Sequence, residues 1–128
     1  MWRKFRKWAV TAVVAGGAFA TVAGTQPPAT AKQGRELFEK RCTGCHALDN
    51  IKVGPPLRHV YSRPSAKDPV FPYSDALKKA DLTWDTATLD RWLADSDAVV
   101  PGNDMTFRLD KPEERAAIIA YLRELSAK

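Results

Sequence analysis

Five consecutive residues, Cys42-Thr43-Gly44-Cys45-His46, concentrate the chemistry of this chain. Two thiols at that spacing can add to the two vinyl groups of one haem while the adjacent histidine reaches its iron. Other uses of the spacing compete. A dithiol redox pair belongs in a βαβ pattern, which the sequence lacks. A tetrahedral zinc site needs further Cys or His ligands, and His59 alone is left over. A disulfide is compatible with an oxidising compartment. Covalent haem attachment is the reading that uses all three residues. A six-coordinate iron then needs a ligand opposite His46, and the chain holds two Met and two His. Met1 belongs to the extreme N-terminus, which leaves Met105 and His59. Met105 follows Pro101-Gly102-Asn103-Asp104, a turn that can deliver a side chain inward; elsewhere a lone Met is core filler. His59 lies in a loop between Arg58 and Val60 and is expected to be an exposed or singly hydrogen-bonded ring.

These residues must be positioned by helices. Gly34, Leu37, Phe38, Cys42 and Cys45 recur at helical spacing, which predicts a helix over 32–45 closed by the Cys-His motif. From Asp49 to Pro72 the chain is punctuated by Gly54, Pro55, Pro56, Pro64, Pro69 and Pro72 and reads as a loop, long enough to need something to pack around. Ser74 is expected to cap a short helix through Ala80. Thr83 is expected to cap a second in which Leu89, Trp92 and Leu93 share a face. Asp110 with Glu113 resembles a capping box at the start of the last helix, whose apolar stripe is Ala117, Ile118, Tyr121, Leu122 and Leu125. No alternating strand pattern occurs. The expected fold is all-α with long loops.

The first eight residues carry four positive charges and no acid, and 9–24 carry no charge at all. Pro27 and Pro28 end any helix there, and Ala29-Thr30-Ala31 is a small-x-small cleavage site. Residues 1–31 are therefore expected to be a signal peptide, with an uncleaved anchor as the alternative, and 32–128 a single domain in the periplasm. An apolar run of 16 residues is short for a bilayer span. Without residues 1–31 the net charge of +5 falls to +1, because four cations and no acids leave. The basic pI thus gives no case for nucleic-acid binding. An asymmetry survives: 32–80 hold ten Lys or Arg against five acids, and 81–128 six against ten.

In order along the chain, Gly34 and Phe38, Cys42-Thr-Gly-Cys-His46, Gly54-Pro55-Pro56-Leu57, Arg63, Phe71 with Tyr73, Thr83-Trp84, Pro101-Gly102-Asn103-Asp104-Met105, Phe107 and Tyr121-Leu122 make a pattern. It resembles that of the class I cytochromes c, close to the mitochondrial and proteobacterial periplasmic carriers, over nearly the whole domain. The resemblance implies the class I fold: three main helices plus long loops around one haem c, attached through Cys42 and Cys45. It implies that His46 and Met105 ligate the iron, that the Pro55 carbonyl fixes the His46 tautomer, and that Arg63, Tyr73 and Trp84 hydrogen-bond a buried propionate. It also implies that the first and last helices cross near a right angle, where Gly34 lets Tyr121 approach. Where mitochondrial carriers present lysines around the Met ligand, this chain has Asp97, Ala98 and Asp104, and its loop between His46 and Gly54 is shorter. That weakens the case for acidic partners. Lys40, Arg41, Lys52, Arg58 and Lys67 offer a basic patch elsewhere on the haem rim.

The function expected on these grounds is single-electron transfer in a periplasmic or respiratory chain. Its redox partners would be a cytochrome reductase, a terminal oxidase or a periplasmic dehydrogenase, with membrane contact only through partners or an uncleaved N-terminus. A second reading makes the domain the dedicated electron-accepting subunit of a periplasmic dehydrogenase. A third, an enzyme or gas sensor with an open iron site, conflicts with Met105 and lacks a distal acid-base pair.

Overall fold

The structure, a computed structural model, describes residues 28–128. Most of the expected signal segment lies outside the described residues. Among them five helices follow one another: α1 (Ala31–Arg41), α2 (Asp75–Lys79), α3 (Thr86–Ala94), α4 (Ser96–Val99) and α5 (Pro112–Ser126). The three longer ones, α1, α3 and α5, carry the core, and irregular chain supplies the rest.

The α1 helix opens on a capping box. The Thr30 side chain accepts from the Gln33 amide, and the Gln33 side chain accepts from the Thr30 amide. The expected span of 32–45 is too long. The helix ends at Arg41, because the Cys42 carbonyl accepts from both Cys45 N (3.1 Å) and His46 N (2.8 Å) and tightens the chain into a turn. The attachment motif therefore sits on a turn and not in the helix.

The last helix crosses the first at Gly34. A Cβ there would lie 1.9 Å from the Ala117 carbonyl oxygen and 2.8 Å from Tyr121 Cβ. The closest approach is thus made by the Ala117 backbone, with Tyr121 beside it; its ring packs edge-on against Phe38, centroids 5.5 Å apart. Phe38, Leu89, Leu93, Ile118, Ile119 and Leu122 continue the core from this crossing. Fully burying one such side chain stabilises the fold by about 1.5–3 kcal/mol.

Two helix starts differ from expectation. The cap of α3 is Asp85, whose carboxylate accepts from Thr88 N at 2.7 Å, because Thr83 is occupied in a bridge with Pro64. The cap position of α5 is Lys111, with no side-chain cap, and Pro112 begins the helix. Asp110 contributes its carbonyl to Arg115 Nη1 (3.1 Å) instead of capping with its carboxylate, while Glu113 and Glu114 complement the helix dipole. The short α4 was not anticipated; Asp95 caps it, accepting from Ala98 N.

Candidate functional site

The local chain path explains how the histidine is held. Gly54 N donates to Cys45 O (2.8 Å), Leu57 N to Ala47 O (3.1 Å) and Arg58 N to Leu48 O (3.0 Å), so residues 54–58 lie alongside 45–48. Gly54 is pressed onto the imidazole: a Cβ there would fall 2.3 Å from His46 Cε1. The next residue, Pro55, places its carbonyl 2.8 Å from His46 Nδ1. A carbonyl can only accept, so Nδ1 carries the proton and Nε2 keeps its lone pair. Burial depresses the basicity of the ring, against the opposing pull of the Pro55 carbonyl. A neutral imidazole with a free Nε2 is what a metal ligand requires.

His46 lines a cavity of about 370 Å³ with mostly apolar walls, shared by Cys42, Cys45, Tyr73, Trp84, Trp92 and Met105. Burial pushes the Cys42 thiol up to about 11, with the Cys45 charge adding to it. Reactive thiols sit where the surroundings favour the thiolate, and burial at Cys42 acts in the opposite direction. Trp84 packs edge-on against Trp92, centroids 5.1 Å apart, and Tyr73 against Phe71 at 4.8 Å.

Arg63 reaches this neighbourhood through backbone pairing. Trp84 N donates to Arg63 O (3.0 Å), Ser62 N to Trp84 O (3.0 Å) and Ser65 N to Leu82 O (2.7 Å). Burial weakens the acidity of the Tyr73 phenol, against the opposing pull of the Asp68 amide that donates to its oxygen and of the Arg63 charge. Arg63 Nε is buried with no hydrogen-bond partner among the described residues. A buried donor left so is costly, and an anionic carboxylate is the partner that suits a guanidinium. An apolar cavity with two thiols, a neutral imidazole and a thioether on its wall, and the buried, unpartnered Nε of Arg63 nearby, together fit haem with its propionates.

The protein-family profile for cytochrome c matches residues 31–126. The chain belongs to the cytochrome c family. It is 37% identical over 118 residues to cytochrome c2 of Rhodomicrobium vannielii, covering 89% of this chain and 94% of that protein. It is 38% identical over 105 residues to cytochrome c of Sesamum indicum, covering 79% and 95%. The solved structure of cytochrome cH from Methylobacterium extorquens superposes with a TM-score of 0.71 at 39% identity, covering 74% of this chain and 98% of that one. As in its family, the chain is an electron-transfer protein and not an enzyme, with one haem c bound covalently through Cys42 and Cys45.

Of the residues singled out in the sequence, Cys42, Cys45, His46, Tyr73, Trp84 and Met105 line the one cavity, and Arg63 is tied to Trp84 behind them. His59 is exposed and is not on the cavity wall. The expected basic patch is partly neutralised: Arg41 pairs with Glu114 at 3.1 Å and Arg58 with Asp49, while the Lys52 ammonium donates to the Thr43 carbonyl. Sequence reasoning missed Ser96 and the role of Asn103, both buried beside Met105. A single serine carries no signal of its burial; Asn103 stood within the Pro-Gly turn motif without an assigned task.

Proposed function

We propose that this cytochrome carries single electrons in a periplasmic respiratory chain, with His46 and Met105 as the residues that would ligate its haem iron. Haem supplies the one-electron iron couple. Everything else is the work of the chain. His46, held neutral and in a fixed tautomer by Pro55, offers Nε2 to the iron. Met105, on the wall of the same cavity, would offer a thioether, a ligand that raises the reduction potential. Arg63, Tyr73 and Trp84 compensate a propionate drawn into the apolar interior. Residues 1–31 direct export, and 32–128 form the working domain. Cleavage after Ala31 removes Thr30 and with it the α1 capping box, at a cost of about 1 kcal/mol. The intact mass of the exported protein tests the cleavage site.

The observation that carries this reading is the His46–Pro55 hydrogen bond at the wall of a cavity that also holds Met105. Absorption spectra of the purified ferric and ferrous protein test it. The expected result is a low-spin ferric spectrum with a sulfur-to-iron charge-transfer band that Met105→Ala abolishes and His59→Ala leaves intact. A spectrum altered by His59→Ala and unchanged in Met105→Ala overturns the assignment. Purification under mild conditions separates a diffusing carrier from a dedicated dehydrogenase subunit, which would bring a second polypeptide with it.

A further inference from the structure

Met105 lies in irregular chain, so neither its amide nor its carbonyl has a partner in a helix. Both are held by side chains. Met105 N donates to Asn103 Oδ1 at 2.7 Å, and the Ser96 hydroxyl donates to the Met105 carbonyl. Ser96 is fully buried, at 0% exposure, and also holds the chain two residues on: its oxygen accepts from Phe107 N (3.1 Å), and its amide donates to Phe107 O (3.3 Å). Asn103 is fixed in turn, its amide nitrogen donating to Val100 O (2.8 Å) and to Asp97 Oδ1 (3.2 Å). The residue that presents the thioether is therefore gripped by two buried polar side chains, one on α4 and one within the turn.

We infer that Ser96 and Asn103 are positioning residues for Met105, a clamp that keeps its thioether on the iron and sets how readily a foreign ligand replaces it. The inference rests on Met105 being the sixth ligand. A neutral thioether exchanges when its segment swings away, and the clamp lowers the population of that open form. Ser96→Ala leaves the Met105 carbonyl and the Phe107 amide without their partner while the segment is closed. In the open form water satisfies both groups, so the substitution favours opening selectively. Asn103→Ala does the same through the Met105 amide. A competing ligand binds only the open form, and its apparent affinity scales with that form's population.

The test is imidazole binding to the ferric holoprotein, followed by loss of the sulfur-to-iron band, alongside the reduction potential. Ser96→Ala is expected to tighten apparent imidazole binding roughly ten- to hundredfold. Asn103→Ala should shift it the same way, and both variants should lower the potential. Leu125→Ala, buried on α5 and away from the cavity wall, destabilises the fold generally and serves as the comparison. It should leave imidazole affinity at the native value. Native affinity in Ser96→Ala and Asn103→Ala, or an equal gain in Leu125→Ala, overturns the clamp while leaving Met105 as ligand. If Met105→Ala retains the sulfur-to-iron band, the ligand assignment itself fails, and the two failures are distinct.

Discussion

Replacing Gly54 by alanine tests how tightly the backbone sets the His46 ring. The φ of Gly54 is not in the left-handed region, so alanine can adopt its backbone conformation and the effect comes from space alone. The added carbon would stand 2.3 Å from Cε1, 2.7 Å from Nδ1 and 2.8 Å from Nε2 of His46. Ordinary contact is about 3.5–4.0 Å, so the ring must retreat by roughly 1 Å. It is buried, and its Nδ1–H is bonded at 2.8 Å to the residue immediately after Gly54, so a retreat of that size breaks the bond. Overpacking costs about 1–3 kcal/mol and the lost hydrogen bond about 1 kcal/mol more, which places the expected destabilisation at about 2–4 kcal/mol. Guanidinium titration of ferric holoprotein measures it. The reduction potential should move as well, because the carbonyl that orients the imidazole no longer does so. A Gly54→Ala protein with the native midpoint and native potential would refute the reasoning, since it would show that the ring is not gripped by the backbone.

Cys42→Ala with Cys45→Ala should yield a disordered chain by circular dichroism, because the irregular stretches 49–72 and 100–111 turn Leu57, Val60, Phe71, Met105 and Phe107 onto the wall of the cavity that haem fills; a cooperatively melting helical product would contradict this. Ala66 is held at φ 54°, in the left-handed region that costs a non-glycine residue about 1–2 kcal/mol. Ala66→Gly should therefore stabilise the fold by about 1 kcal/mol or less once the greater freedom of the unfolded glycine is counted, and so raise the thermal midpoint; a lowered midpoint counts against strain at this position. Because Arg41 and Arg58 are engaged by Glu114 and Asp49, electron transfer to the physiological partner should slow only mildly as salt rises. A steep decline abolished by neutralising Lys40 and Arg41 would reveal a localised patch that steers docking.

What could be seen in the sequence followed the range of the interaction involved. The Cys42-to-His46 motif is complete within five residues, and so its chemistry was legible without a fold. Met105 emerged because so few sulfur or imidazole side chains compete with it. Arg63, Tyr73 and Trp84 are spread over more than twenty positions and carry no local pattern; resemblance to the class I cytochromes c suggested them, and the pairing of 62–65 with 82–84 shows how Arg63 and Trp84 meet. The helix start at Asp110 was misplaced because an acid three residues before a glutamate looks the same whether its carboxylate caps or its carbonyl is taken by Arg115. Ser96 was invisible for a related reason. Nothing local distinguishes a serine on a solvated turn from one that α4 buries against the Met105–Phe107 segment.

The His46 and Met105 sides of the cavity differ in how they are held, and that difference has a physical consequence. On the histidine side, residues 45–48 are bonded backbone to backbone with 54–58, and the flanking cysteines add covalent links to the haem. Moving His46 means breaking several of these at once. On the methionine side, the bonds to Met105 come from two side chains, and no covalent link to the cofactor backs them. Opening there requires only that one short segment detach from Ser96 and Asn103. Free energies of local opening span a wide range within one protein, and the segment with the fewest and least redundant bonds opens first. Amide exchange at Met105 and Phe107 should accordingly be faster than at Gly54 and Leu57 in the native holoprotein. Equal protection on both sides would mean that two buried side chains hold Met105 as firmly as a paired backbone and two thioethers hold His46.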